Sequence, residues 1–325
     1  MRKAGIIGLG CHVPKRVLTN ADLEKMVETS DQWIITRTGI KERRLVAKGE
    51  AASDLAVKAA KEALRDAKIK AEDLDLIIVA TITPDMQFPS TACFVQKGLG
   101  AKNAAALDIS AACAGFIYAL SIANQFISRG VYRHVLVIAS EVLSSITDWK
   151  DRNTCVLFGD GAGALVLSEV KSGGILSTYL GSDGTNSDLL MLPAGGSRNP
   201  ASRETLKNRL HYIKMQGNEL FKIAVNAMVE SPKVALRQVG MDSHDIDLLV
   251  PHQANLRIIN AVAKRLQIPL NKIYINIERY GNMSAASTAV ALVEAAKEGR
   301  MKRSDIVVLD AFGGGLVWGA CAIKW

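Results

Sequence analysis

The sequence predicts an α/β protein made of one unit written twice, its two pseudo-duplicated halves stacked as five layers in the order αβαβα. Three observations predict it. Short β-branched runs alternate with helical patterns throughout the 325 residues, as in a mostly parallel sheet covered by helices. Segments of the first half are echoed, in the same order, about 170 residues later. Each half also opens an apolar helix with a turn at a corresponding position.

Residues 4–13 form the first strand, and Pro14, Lys15 and Arg16 the turn after it. Met1, Arg2 and Lys3 ahead of that run have the charge of a short signal peptide, but no small-residue cleavage site follows; the strand reading prevails. Ser53 is expected to cap a helix in which Leu55, Ala56, Ala60, Ala63, Leu64 and Ala67 make one face. Residues 75–80 are a continuous apolar strand suited to burial on both faces. Residues 104–109 read as another strand, and 114–127 as an apolar helix with Cys113 at its start. Residues 181–208, rich in Gly, Ser, Asn and Arg, read as a long surface excursion, and loops of that length tend to be functional. The halves are assigned to residues 1–172 and 173–325.

The echoes support that division. Leu74-Asp75-Leu76-Ile77-Ile78-Val79-Ala80 returns as Ile246-Asp247-Leu248-Leu249-Val250-Pro251-His252, 172 residues later. Residues 108–113 pair with 282–287, each ahead of an apolar helix, and residues 135–141 pair with 306–312. Such self-similarity decides a fold before any single motif does.

Composition narrows the function. Apolar residues make up 49% and charged residues 22% of the chain, an ordinary globular balance. Five cysteines are scattered without a CxxC pair, which fits a reducing compartment and leaves one free to be reactive. The only adjacent His/Cys pair is Cys11-His12, with no further ligand at zinc-site spacing, so no metal site is expected. No run reaches the roughly 18 apolar residues of a membrane span, and a cytoplasmic location is expected. Net charge is +8 with aromatics at 5%; dispersed Lys and Arg with so few stacking rings argue against nucleic acid and for an acidic protein partner or a phosphorylated small molecule.

Gly159-Asp160-Gly161-Ala162-Gly163 and Gly313-Gly314-Gly315 invite a phosphate reading. The dinucleotide fingerprint needs a helix after its glycines, whereas residues 164–167 and 316–318 read as strands. Tight turns that bring bare backbone N–H groups to a reacting atom fit better. Cys113 is the candidate for that reaction, because a helix N-terminus stabilises a thiolate. His252 ends the strand matching Leu74 to Ala80, on the sheet edge where α/β proteins bind ligands. Asn282 stands in a Tyr280-Gly281-Asn282 turn before the corresponding second-half helix.

Cys113, His252 and Asn282 in these settings resemble the β-ketoacyl-acyl-carrier-protein synthase III family, the initiating condensing enzymes of bacterial type II fatty-acid synthesis, with a thiolase-like fold. The resemblance runs the full length through residues 30–40, 108–116, 157–163, 215–219, 251–255, 280–287 and 312–315. Thiolases use a second cysteine and elongating synthases Cys-His-His, so Cys-His-Asn at this length is specific. Plant-type polyketide synthases share the triad but are longer and close with a different glycine motif. The resemblance implies that Cys113 takes an acyl group, acetyl above all, from acyl-CoA, with the backbone N–H groups of Cys113 and Gly315 as oxyanion hole. A malonyl group on acyl carrier protein then loses CO₂, and His252 with the Asn282 amide stabilise the carbanion that attacks the acyl-cysteine. It further implies adenine between Trp33 and Arg152, CoA phosphates near Arg37, and pantetheine near Asn255, with Gly217 in the same site. Lys222, Arg257, Lys264 and Arg265 would meet the acidic carrier; Arg257 and Lys264, seven apart, share one helix face. Leu143 and Phe158 would line the acyl pocket, together with Phe88 reaching across a homodimer interface. No cofactor is implied, acyl-CoA being a substrate. The alternative is a relative using another primer or acceptor in secondary metabolism; a catalytically idle carrier-binding subunit is disfavoured because the nucleophile is present.

Overall fold

The computed structural model describes residues 2–325 and arranges them around two mixed sheets. The first orders its strands Lys3–His12, Asp160–Val170, His134–Val142, Leu76–Ala80, Ala105–Ile109. The second runs Gly174–Ser182, Val317–Lys324, Ile306–Gly313, Leu248–Pro251. Strand for strand the order is the same. The fifth position of the second sheet has shrunk to one parallel bridge between Leu249 and Ile273.

The duplication reaches individual hydrogen bonds. Asp75 Oδ2 accepts the backbone N–H of His134 at 2.9 Å, and Asp247 Oδ2 accepts that of Ile306, also at 2.9 Å. Each aspartate thus ties the start of one strand to the start of its parallel neighbour. These clasps set the offset at 172 throughout, which corrects two of the expected pairings. Residues 134–142 match 306–314, one residue from the pairing read in the sequence. Likewise Ala112 matches Ser284, so Cys113 lies opposite Ala285 and not opposite Asn282 or Ser287. The left-handed backbone of both Ala112 (φ 41°) and Ser284 (φ 48°) fixes this register.

Three apolar cores separate the layers. The central one fills the space between the sheets and is built on two helices, Gly115–Ser128 and Ala285–Lys297. Leu76, Ile78 and Ala80 face it from the first sheet, and Leu248 and Val250 from the second. Ile77 and Val79 point the other way, into the core beneath the Ala52–Ala67 helix, following the two-residue period of a strand. Burial on both faces explains the unbroken apolar run. On the far side, Leu249, Val308 and Phe312 meet the Gly217–Arg237 and Leu256–Leu266 helices. The layers are therefore helix, sheet, helix pair, sheet, helix.

Two local expectations change. Ser53 lies inside the first turn of the Ala52–Ala67 helix, where its N–H and hydroxyl bind Asp85; the end of the helix is capped by Asp54, which accepts from the Ala51 N–H at 2.9 Å. Gly161 and Gly163 lie within the Asp160–Val170 strand and not in a turn. A Cβ on Gly163 would sit 2.6 Å from that of Ala289, so its role is to let the central helix press onto the sheet. The Gly313-Gly314-Gly315 run does leave its strand and turn. Residues 181–208 carry more structure than the sequence suggested, including a short helix at Arg203–Lys207 and a two-stranded pairing of Leu190–Met191 with Lys214–Met215.

Candidate active site

Four chain segments converge where the two sheets end between the central helices. Cys113 occupies a single 3-10 turn, Ala112–Ala114, immediately ahead of the Gly115–Ser128 helix. The missing side chain of Gly115 permits this approach: a Cβ there would lie 3.2 Å from that of Ala80 and 3.7 Å from that of Ala285. The nucleophile's turn and the head of the second-half helix are thereby brought together. Gly313 closes the other side, where an added Cβ would fall 2.5 Å from the Cys113 nitrogen. Among the three glycines of that run, it is Gly313 that lies against the Cys113 backbone.

His252 follows Leu248–Pro251, and its N–H donates to the Asp310 carbonyl at 2.7 Å, continuing the parallel ladder by one bond. Its ring is buried and Nδ1 has no hydrogen-bond partner. Asn282 bridges to Phe158, with its N–H on the Leu157 carbonyl at 2.8 Å and its own carbonyl accepting from Gly159 at 3.0 Å. Its side-chain Oδ1 accepts from the Ser284 N–H at 2.8 Å. That bond occupies the acceptor end of the amide and leaves the NH₂ donors for the cavity.

Two cavities share the wall formed by Cys113 and Asn282. One, of about 380 Å³, is also lined by Leu143, Phe158, Ser284 and Gly315. The other, of about 140 Å³, is lined by Gly217, His252 and Asn255. Leu190 and Met215, from the stretch that the sequence left as a surface excursion and from its partner strand, line both. A buried junction of this kind suits a reaction between two groups that arrive from different sides.

Burial dominates the electrostatics. It pushes the Cys113 thiol up to about 12, against a smaller opposing effect of the Ser284 hydroxyl. The expectation from the sequence was the opposite direction, a lowering by the helix N-terminus. Cys113 is nearly solvent-free and the helix proper begins two residues beyond it, so loss of hydration opposes the stabilisation that a helix N-terminus gives a thiolate. Burial likewise pulls His252 down to about 3, leaving a neutral imidazole. Glu141, at the end of the His134–Val142 strand, is raised by burial to about 7 despite donors from Thr83, Ile82, Ser284 and Thr81.

The 3-oxoacyl-[acyl-carrier-protein] synthase III family profile matches residues 107–184, and that family's C-terminal profile matches residues 236–325. A curated β-ketoacyl-[acyl-carrier-protein] synthase III of Caldanaerobacter subterraneus is 59% identical over 99% of this chain and 98% of its own length. The chain belongs to the β-ketoacyl-[acyl-carrier-protein] synthase III family. The relative from Clostridioides difficile is 56% identical over 99% of the chain and 98% of its own length. The crystal structure of 3-oxoacyl-[acyl-carrier-protein] synthase III from Aquifex aeolicus superposes with a TM-score of 0.92, at 52% identity, covering 99% of this chain and 100% of that one. The chain therefore has the thiolase-like fold of that structure, and its family makes it an acyl-transferring condensing enzyme.

The other residues singled out in the sequence fall in three places. Trp33, in the Asp31–Thr38 helix, carries the Arg37 guanidinium 4.9 Å and that of Arg152 4.3 Å from its ring centroid. Asn255 caps the Leu256–Leu266 helix, accepting from Arg257 N–H at 2.8 Å and donating to the Arg37 carbonyl at 3.0 Å. Lys222, Arg257, Lys264 and Arg265 are exposed on the two outer helices of the second half, with Arg257 5.6 Å over the Phe221 ring. Phe88 is 84% exposed and lines neither cavity. Among the described residues no group of three or more His, Cys, Asp or Glu gathers as metal ligands, and no helix is long and apolar enough to cross a membrane. Ser284, Glu141 and Gly313 were not singled out as site residues in the sequence. The available signal for Glu141 was a single charged residue near the end of the buried strand Val135 to Val142.

Proposed function

We propose that this synthase III condenses an acyl-CoA primer, acetyl-CoA first, with a malonyl group on acyl carrier protein, releasing CoA and CO₂ and starting a fatty-acid chain. The observation that carries the reading is the shared Cys113–Asn282 wall between two cavities, with His252 on one side. Cys113 attacks the primer thioester and holds the acyl group covalently. The larger cavity, with Leu143 and Phe158, takes the acyl chain, and the backbone N–H groups of Cys113 and Gly315 take the oxyanion. After CoA leaves, the malonyl thioester enters from the His252 side. Decarboxylation puts charge on the thioester oxygen, and His252 Nε2 with the Asn282 NH₂ donate to it. A neutral imidazole with its proton on Nε2 suits that role, because that N–H donates to the developing charge. Each donor of this type lowers the barrier by about 2.7–4 kcal/mol.

CoA would lie along Trp33, Arg37 and Arg152, with Asn255 and Gly217 flanking its arm. Arg152 rests directly on the indole, so a purine enters by lifting the guanidinium off one ring face. The exposed Lys222, Arg257, Lys264 and Arg265 form the docking face for the acidic carrier. The enzyme uses no cofactor, works in the cytoplasm as a homodimer in which Phe88 completes the neighbouring acyl pocket, and divides at residues 172 and 173.

Incubation with a panel of acyl-CoAs, followed by intact mass and peptide mapping, tests this reading. An acyl adduct on Cys113, absent from Cys113→Ser, is expected, and its chain length names the primer. An adduct of equal yield on Cys113→Ser would remove Cys113 as nucleophile.

A further inference from the structure

Two donors can stabilise one developing oxygen only if their separation is fixed beforehand. His252 and Asn282 come from different segments. His252 follows the Leu248–Pro251 strand, whereas Asn282 follows Gly281 and the one-turn helix Ile277–Tyr280. Two side chains that line neither cavity, Gln253 and Glu294, join those segments.

Gln253, the neighbour of His252, is fully buried. Its Nε2 donates to the Pro251 carbonyl at 2.8 Å and to the Tyr274 carbonyl at 3.2 Å. Its Oε1 accepts the Asn276 N–H at 3.1 Å. The strand end that carries His252 is thereby fastened to the residue just ahead of the Ile277–Tyr280 helix. A helix of one turn has no stability of its own, so contacts from outside must hold this one. Glu294, on the Ala285–Lys297 helix, grips it at both ends. Oε2 accepts from Asn276 Nδ2 at 2.8 Å and from Arg279 Nη2 at 3.0 Å. Oε1 accepts from the Tyr280 hydroxyl at 2.5 Å. The Gly281 N–H then closes on the Ile277 carbonyl at 2.9 Å, and Asn282 follows. Hydrogen bonds thus run from Pro251 through Gln253, Asn276, Glu294 and Tyr280 to the turn of Asn282. In a low-dielectric interior such a network rigidifies what it joins.

Resting on the donor roles proposed above for His252 and Asn282, we propose that Gln253 and Glu294 are positioning residues for the decarboxylation step, which together set the placement of His252 relative to Asn282. Each acts through a donor and not on substrate, Gln253 through His252 and Glu294 through Asn282. Loading of Cys113 places no charge on the oxygen that these donors serve, so the bracket is specific to one half-reaction.

The variants are Glu294→Gln and Gln253→Met. The first keeps the shape but turns an NH₂ toward groups that need an acceptor; the second keeps the length and loses all three bonds of the amide. The two residues lie in separate elements, so one variant carries the test if the other folds poorly. Two half-reactions of the full-length enzyme are measured: acylation of Cys113 by acetyl-CoA, read by mass, and decarboxylation of malonyl-carrier without primer, read as CO₂ release. Decarboxylation kcat is expected to fall about 100-fold, the cost of a displacement near 1 Å at a reacting centre. KM for malonyl-carrier should stay within about twofold, because an interaction made only in the transition state is lost from kcat. Acylation should also stay within about twofold, which checks that the fold is intact.

The same changes are then made in backgrounds without the donor, Glu294→Gln with Asn282→Ala and Gln253→Met with His252→Ala. Residues that act as a unit are not additive, so the further loss should shrink to less than about threefold. A merely structural role would cost the same in both backgrounds. Decarboxylation within about threefold of wild type, a change confined to KM, equal losses in both half-reactions, or an undiminished loss without the donor would overturn the positioning role. Failure of Asn282→Ala and His252→Ala themselves to slow decarboxylation would instead overturn the donor reading beneath it.

Discussion

Two carboxyls lie buried in matching strands of the two halves, on opposite terms. Glu141, in His134–Val142, is ringed by two threonine hydroxyls and a backbone N–H. Asp310, in Ile306–Gly313, is fully buried with no hydrogen bond to either carboxyl oxygen. Its main chain is engaged, accepting the His252 N–H at 2.7 Å, while its side chain faces apolar core. Burial raises it well above the usual carboxylate range. One acid has been given a cradle beside the reacting sulfur; the other keeps its proton in an apolar layer. Duplication copied the frame but not the surroundings of its buried acids.

The largest effect should come from the glycine that joins the halves. Gly313→Ala drives a Cβ to within 2.5 Å of the Cys113 nitrogen, and backbone cannot yield as a flexible side chain would. A displacement near 1 Å at a reacting centre costs about 100-fold. Acyl loading measured by mass should therefore fall by about that factor, with the circular-dichroism spectrum intact. Loading within a factor of two of wild type would mean that the contact does not set the nucleophile's position.

Asp310→Leu attacks the comparison from its other side. Leucine has nearly the same shape and removes an unsatisfied polar group, for which burial costs about 1–3 kcal/mol. The carboxyl's folded pKa is raised, so the folded state holds a proton that the unfolded state releases above about pH 4. Its contribution to stability is present below that pH and is lost as pH rises. The variant's advantage in urea unfolding should accordingly be smallest near pH 4 and grow as pH rises towards 8. An advantage independent of pH would show that Asp310 ionises freely and has a partner.

Much of this was legible in the sequence, and the misses share a cause. Periodicity and the 172-residue echo disclosed the five layers, because strands buried on both faces must be apolar without a break. Cys113, His252 and Asn282 were found because each stands next to a strand or helix end. The opposing pull of burial on the Cys113 thiol was not legible, because a helix N-terminus can be read from sequence, whereas the solvent excluded around it depends on Gly115, Gly313 and the opposite half. Ser284 and Glu141 were passed over for a similar reason. They lie 143 positions apart, and only the folded chain brings a strand end of the first half and a helix head of the second close to Cys113. The pairing of residues 108–113 with 282–287 slipped by two residues because alanine-rich segments align about equally well in several registers; the matched Asp75 and Asp247 clasps remove that freedom.

The smallest predicted effects would sharpen how the halves divide their substrates. Trp33, Arg37 and Arg152 all belong to the first half, whereas Lys222, Arg257, Lys264 and Arg265 all belong to the second. If CoA and carrier are recognised by separate halves, single changes should affect one substrate and spare the other. Trp33→Ala removes a ring on which two guanidiniums now rest; loss of about 1 kcal/mol of cation–π and stacking contact raises KM for acetyl-CoA about fivefold. Arg257→Glu reverses a charge at an exposed rim, where electrostatics act mainly on association rate and salt dependence. KM for the malonyl-carrier should rise by a similar factor, about fivefold, and the difference from wild type should shrink as ionic strength screens the contact. Kinetics of the two variants against both substrates decide the matter. A crossed pattern, with each variant impaired for its own substrate alone, supports division of labour between the halves. Equal impairment of both substrates in either variant would mean that CoA and carrier share one entrance, and that the duplicated halves read a single pantetheine-bearing ligand together.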